Sequence, residues 1–124
     1  MEGKFPIYPY PAASGLWTSA IDLANLSIEL MNSIKGESKL GLSKSLAEEI
    51  IRAQGGKSWT GLGVFLERNE NNLEIASFGW GKGFQSMVVM FPYLQKGAVI
   101  MTNSELGVHQ MEGLIGEIYK SLFS

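Results

Sequence analysis

Hydrophobic residues recur at helical spacing in the first third of the chain. Ser19 and Asp22 have the spacing of a capping box, with Asp in place of the usual Glu, and Gly36 is a typical stop. The pattern predicts a helix that begins near Thr18 or Ser19 and ends at Gly36. Its expected buried stripe consists of Ile21, Ala24, Ile28 and Met31, widened by Leu23, Leu30 and Ile34.

A second helical pattern covers residues 43–54. Ser45 and Glu48 fit a capping box, and Gly55 with Gly56 ends the pattern. The buried face that we expect consists of Leu46, Ala47, Ile50 and Ile51.

The segment before the first helix, residues 1–17, has a different character. Pro6, Pro9 and Pro11 alternate with aromatic and aliphatic residues. Because each proline fixes its own φ and favours extended geometry in the residue before it, a helix is disfavoured here. We expect an ordered coil whose aromatic side chains pack on the rest of the chain.

The spacing changes from helical to alternating after Trp59. Four segments have the alternation or apolar content of strands, at residues 60–67, 73–79, 84–91 and 97–102. In the first of them the expected buried face is formed by Leu62, Val64 and Leu66. The connections between these strands are short, which favours antiparallel pairing. They are a turn at Asn69, Asn71 and Asn72, a Gly-rich corner and a turn at 92–97. The run Ala98–Met101 is apolar on both faces and predicts a central strand.

A last helical pattern covers residues 105–123. Its stripe consists of Val108, Met111, Ile115, Ile118 and Leu122. The whole pattern predicts an α+β fold in a single domain, residues 1–124: two N-terminal helices, an antiparallel sheet of about four strands and a C-terminal helix that covers the sheet.

Composition and charge exclude several function classes. Of the 124 residues 45% are hydrophobic and 18% charged, so the chain is expected to fold. The net charge of -2 provides no basic surface for nucleic acid or anionic lipid, and no apolar run approaches the roughly 20 residues of a membrane span. With no cysteine and one histidine, no metal or other cofactor is expected. No leader segment is visible, so the location is expected to be cytoplasmic if the chain is complete.

Two glycine-containing stretches resemble phosphate-binding motifs and fail on inspection. Around Gly79–Phe84 the glycine spacing is wrong for a dinucleotide fingerprint, and a strand follows in place of a helix. Gly56-Lys57-Ser58 resembles the end of a P-loop, but the upstream glycine would have to stand where Ile51 is. The glycines are better explained by a tight corner between strands.

Longer stretches resemble a known family. The stretch PAASGLWTSAIDLA, residues 11–24, resembles the loop-helix signature of class C-type β-lactamases, D-alanyl-D-alanine carboxypeptidases and related esterases. Residues 78–84, 87–91 and 99–103 look like the closing strands of that family, in the same order. The resemblance implies a partial fold of the serine β-lactamase and penicillin-binding-protein type, with this chain as its C-terminal segment.

The resemblance also implies a site built from three motifs. The nucleophile motif Ser-x-x-Lys and the assisting Tyr-x-Asn do not occur in this chain. The third is Lys- or His-x-Gly on an edge strand, and its family form His-x-Gly-Trp-Gly-x-Gly-Phe aligns without gaps on residues 77–84. Ser77, Phe78 and Gly79 then take the three motif positions, and Trp80 follows them. The Trp80 N–H would then be an oxyanion-hole donor, while Ser77 departs from the family by bringing no charge. The alternative is a plain strand with Ser77 facing a cleft.

Three hypotheses for function stay open at this point. The chain is a non-catalytic C-terminal part of a serine hydrolase, a self-standing binding module, or part of an enzyme completed by a second chain. Alone it is expected to be inactive, and its substrate class, whether peptide, β-lactam or ester, is undetermined. Its expected partners are the missing N-terminal part of the domain, or further copies of itself that pair through an open sheet edge.

For the other polar and aromatic residues we expect structural positions and no role in chemistry. Glu48, Glu49 and Glu67 are expected on solvated faces, and His109 at the surface or as a helix cap. We expect the tryptophans to pack and not to form a ligand cage; they are Trp17, Trp59 and Trp80.

Overall fold

The fold is α+β, as the sequence predicts. The computed structural model describes residues 8–69 and 72–123. Its elements in chain order are helix α1 (Ala20–Lys35), helix α2 (Lys44–Ile50), strands β1 (Phe65–Asn69), β2 (Asn72–Gly81), β3 (Phe84–Phe91) and β4 (Lys96–Thr102), a 3₁₀ turn (Gln110–Glu112) and helix α3 (Leu114–Phe123). The strands form one antiparallel sheet in the order β1-β2-β3-β4.

Helices cover both faces of this sheet. On one face α1 and α2 enclose a core whose buried members are Ile34, Ala47, Ile51, Leu66, Leu73, Ile75 and Met90. On the other face α3 covers a second core, with buried Met87, Val89, Phe91, Ile100 and Ile115. The sheet therefore lies between two helical layers, with successive residues of each strand facing alternate layers.

Helix α1 begins as predicted but buries only part of the predicted stripe. The Ser19 hydroxyl accepts the Asp22 N–H at 3.1 Å, and Gly36 ends the helix with φ 83°. Ile21 and Ile28, which we expected to be buried, are 74% and 49% exposed. The predicted Ile34 is buried, and Leu30 and Met31 pack on the first core, whereas the buried Ser27 and Ser33 were not predicted. Two serines tolerate burial because their hydroxyls bond to backbone carbonyls four residues earlier: Ser27 to Leu23, and Ser33 to Glu29.

The region from α2 to β1 departs from the prediction. Helix α2 is shorter than residues 43–54, and its cap is the Ser43 hydroxyl, which accepts the Leu46 N–H at 3.2 Å; Ser45 is not the cap. β1 begins only at Phe65, because the Gly61 N–H donates to the Val64 carbonyl at 2.9 Å and closes a local turn. Leu62, expected on the buried face, is consequently exposed. The predicted turn position Asn71 lies outside the described residues, as do the first seven residues of the chain.

The end of the chain corrects two further predictions. β4 is an outer strand and not a central one; it is apolar on both faces because helices cover both. The helix predicted at 105–123 starts only at Leu114, after a loop and the 3₁₀ turn that His109 caps. Of its predicted stripe, Val108 and Leu122 are exposed, whereas Met111, Ile115 and Ile118 pack in the second core. Among the described residues no helix is both long and apolar enough to span a membrane.

Candidate functional site

A cavity of about 500 Å³ lies between the sheet and the part of the chain that ends at Leu30 of α1. The segment before α1 and this part of α1 form one wall, which includes Trp17, Leu23 and Leu26. The sheet forms the other wall with residues of β2, β3 and β4, among them Ser77, Gly79, Ser86, Val88 and Met101. Its volume is within the range of small-molecule sites, roughly 300–1,000 Å³.

All four residues of the predicted third motif line this cavity: Ser77, Phe78, Gly79 and Trp80. They lie on the second half of β2. β1 pairs with β2 only as far as Phe65 opposite Ala76, so no described strand covers residues 77–81 on that side. The motif is therefore located on a free edge of the sheet, beside the cavity.

The hydrogen bonds of Gln85 define which way the Trp80 backbone points. The Gln85 N–H donates to the Thr102 hydroxyl at 3.3 Å, and its carbonyl accepts from that hydroxyl at 3.1 Å, so both groups point towards β4. Trp80 lies opposite Gln85 in the antiparallel pair. Since the two residues form a non-hydrogen-bonded pair, the Trp80 N–H and C=O point away from β3, towards the free edge.

Gly79 and Ser86 are opposite each other in the register of β2 and β3. A Cβ added to Gly79 would collide with the Ser86 hydroxyl. The glycine therefore lets the Ser86 side chain lie across β2. Ser86 was not singled out from the sequence, although the two-residue turn Lys82-Gly83, with Gly83 at φ 83°, is a signal that defines this register.

The cavity wall has hydroxyl groups but no ionisable carboxyl, amino, guanidinium or imidazole group among its described lining residues. Three of the hydroxyls are used internally: Thr18 donates to the Ser19 carbonyl, Ser27 to the Leu23 carbonyl and Thr102 to the Gln85 carbonyl. Ser77 and Ser86 have no side-chain hydrogen bond within the described part of the chain. These two hydroxyls are thus available to a ligand.

A carboxylate fixes the corner next to the cavity. The two oxygens of Glu105 accept from the Trp80 indole N–H at 3.1 Å and from the Gly83 N–H at 3.3 Å. The loop after β4 is thereby tied to the β2–β3 turn. Sequence reasoning missed Glu105 because it was assigned to a helix, and only the three-dimensional path of the loop brings it to Trp80.

The other polar and aromatic residues considered from the sequence make contacts within the fold. The His109 Nδ1 accepts the Met111 N–H at 3.2 Å, which confirms the capping expectation, and its ring lies 5.7 Å from that of Phe78. Glu48 forms an exposed ion pair with Lys44 within α2, and the half-buried Glu49 pairs with Arg52 just beyond the end of that helix. Trp59 stacks on Phe65 at 6.1 Å, while Trp17 and Trp80 line the cavity.

Perturbed pKa values occur away from the cavity. The Tyr119 hydroxyl donates to the Glu74 carboxylate at 2.7 Å on the α3 side of the sheet. Burial raises the pKa of Glu74, and burial together with this carboxylate raises the pKa of Tyr119 to about 12. The N–H of Lys39, bonded to the Glu29 carboxylate, lowers the pKa of Glu29.

Comparisons with protein-family models, with curated proteins and with solved structures give no match. Among the described residues no group of three or more histidine, aspartate or glutamate side chains is placed to hold a metal ion.

Proposed function

We propose that this chain is the C-terminal part of a domain of the serine β-lactamase and penicillin-binding-protein type, and that it forms one wall of the substrate cleft without supplying the nucleophile. In this role β2 is the edge strand along which the substrate lies. Trp80 supplies the backbone N–H that polarises the reacting carbonyl. The missing part of the domain supplies Ser-x-x-Lys and Tyr-x-Asn.

The observation that carries the proposal is the free edge of β2 beside the cavity. Backbone groups of Trp80 point off this edge, and no described strand pairs with them. A free edge next to a small-molecule cavity can receive an extended substrate by main-chain hydrogen bonds. Gly79 supports the proposal, because its lack of a side chain gives the Ser86 hydroxyl room on the cavity wall.

A self-standing binding module is the second candidate. The same cavity and edge could hold a ligand without any chemistry, and no residue of this chain is needed as a nucleophile. An enzyme completed by a second chain would use the same wall. The three proposals differ in where the missing motifs are encoded.

The test is the sequence of the reading frame that adjoins this one, together with the frames of neighbouring genes. The main proposal expects Ser-x-x-Lys followed by Tyr-x-Asn in the same frame, upstream of residue 1 of this chain. Both motifs in a neighbouring gene would favour completion by a second chain. Absence of both motifs from all of these frames would contradict the hydrolase proposal and leave the binding module.

A further inference from the structure

We infer that the cavity takes an uncharged acyl group, an ester or amide with an apolar chain, and excludes ligands that bring a free carboxylate. This rests on the proposed function and specifies its substrate class. The inference depends on the chemistry of the cavity wall and not on the identity of the nucleophile.

The first step is the charge of the wall. None of the described lining residues is a Lys, Arg, His, Asp or Glu, and the position where the resembled family has Lys or His is Ser77. A carboxylate placed here would lose part of its hydration without gaining a cation. The expected consequence is selection against anionic ligands.

The second step is the placement of the polar groups. Ser77 and Ser86 lie diagonally across β2 and β3 on the same face of the sheet, and neither hydroxyl is used within the described chain. Together with the Trp80 N–H they offer donors at one end of the cavity. A neutral carbonyl accepts such hydrogen bonds without needing a counter-charge.

The third step is the apolar part of the cavity wall. Leu23, Leu26 and Leu30 of α1 face Val88 and Met101 of the sheet across the cavity. These side chains form a surface that an aliphatic chain can bury, at about 25 cal/mol per Å² removed from water. A ligand with a neutral polar head and an aliphatic tail therefore fits this cavity, with its head at the hydrogen-bond donors and its tail against the apolar side chains.

The experiment compares two probes of equal length, octanamide and octanoate, at pH 8. Trp17 and Trp80 line the cavity, so binding is followed by tryptophan fluorescence and confirmed by calorimetry. We expect octanamide to bind to the unaltered chain at least ~10-fold more tightly than octanoate, since an unpaired carboxylate in the cavity costs more than ~1.4 kcal/mol. Equal or tighter binding of octanoate, or no binding of either probe, would overturn the inference.

Two variants bring a cation to the cavity. Ser77→Lys places it at the motif position, and Thr18→Lys places it at the exposed rim, where folding is less at risk. Each should tighten octanoate binding relative to octanamide, and the control Ser121→Lys on the exposed face of α3 should not. An unchanged preference in folded Ser77→Lys and Thr18→Lys would contradict the inference. The proposed function is tested separately by the adjoining reading frame, so failure of one can be distinguished from failure of the other.

Discussion

The Tyr119 hydroxyl donates a hydrogen bond to the Glu74 carboxylate across 2.7 Å, and so links α3 to the first part of β2. The pair is partly buried, and the pKa of Tyr119 rises from 10.0 to about 12, with burial as the largest cause. The folded chain therefore holds the phenolic proton more tightly than the unfolded chain does. The stabilisation is fully present below pH 10 and is lost as the pH rises towards 12.

The first prediction follows from this shift. Between pH 10 and 12 the free energy of unfolding of the unaltered chain should fall relative to that of Tyr119→Phe, which has no phenolic proton to lose. The control is Tyr93→Phe, since Tyr93 is 59% exposed. Urea denaturation at a series of pH values measures the difference. Parallel curves for Tyr119→Phe and the unaltered chain would show that the hydrogen bond does not contribute in this way.

The second prediction concerns Gly79 and Ser86. Gly79→Ala should lower the free energy of unfolding by about 1 kcal/mol, because the new methyl group forces the Ser86 hydroxyl out of its position. Ser86→Ala should change stability little, since the hydroxyl has no internal partner. In the Ser86→Ala background most of the Gly79→Ala cost should disappear. A double-mutant cycle by denaturant unfolding measures this coupling, and additive costs would refute the contact.

The third prediction concerns Gly116 in α3. A Cβ at this position would overlap the backbone of Met111, which cannot rotate away as a side chain can. Gly116→Ala should therefore destabilise the chain by about 1–3 kcal/mol, although alanine is the better helix former. Ser121→Ala on the same helix is exposed and should be close to neutral. Thermal unfolding compares them, and equal midpoints would contradict the close packing of α3 on the 3₁₀ turn.

The fourth prediction is self-association through β4. Met87, Met90 and Phe91 are all buried and offer no apolar surface for association. β4 is nevertheless an outer strand with no described neighbour on one side, and Met101 on it is 40% exposed. We expect a homodimer or higher oligomer at micromolar concentration, with an interface on the order of 1,600 Å².

Light scattering tests the association. Met101→Lys should shift the mass towards the monomer, because a charge on an outer strand opposes edge pairing. Leu122→Lys is the matched control, since Leu122 is also exposed but lies on α3. A monomeric unaltered chain, or equal effects of the two substitutions, would rule out pairing through β4.

The sequence predicted the elements well where the signal is local. The Ser19 cap, the Gly36 stop and the bounds of β3 are confirmed, because they depend on a few neighbouring residues. The sequence-based prediction was wrong where contacts between distant parts of the chain determine which residues are buried and which path a loop takes. The buried stripe of α1 includes serines that satisfy their own hydroxyls, and Glu105 belongs to a loop whose path depends on its bonds to Trp80 and Gly83.

The part of the candidate site that consists of neighbouring residues could be predicted from the sequence. The alignment of Ser77 to Trp80 is a property of consecutive residues, and all four line the cavity. The role of Ser86 requires the register of the hairpin, and the free edge of β2 requires knowing that β1 begins only at Phe65. Neither is visible in hydrophobic spacing alone.

The most direct test of the central claim, that this chain forms a cleft wall but has no nucleophile, is intact-mass measurement after incubation with a fluorophosphonate and a fluorescent penicillin. Nucleophilic catalysis needs an activated serine, and no serine here has a lysine or tyrosine base at the family spacing. We predict an unmodified mass, with nitrocefin and p-nitrophenyl ester hydrolysis at background. Stoichiometric acylation of Ser77, or of any other serine of the chain, would contradict it.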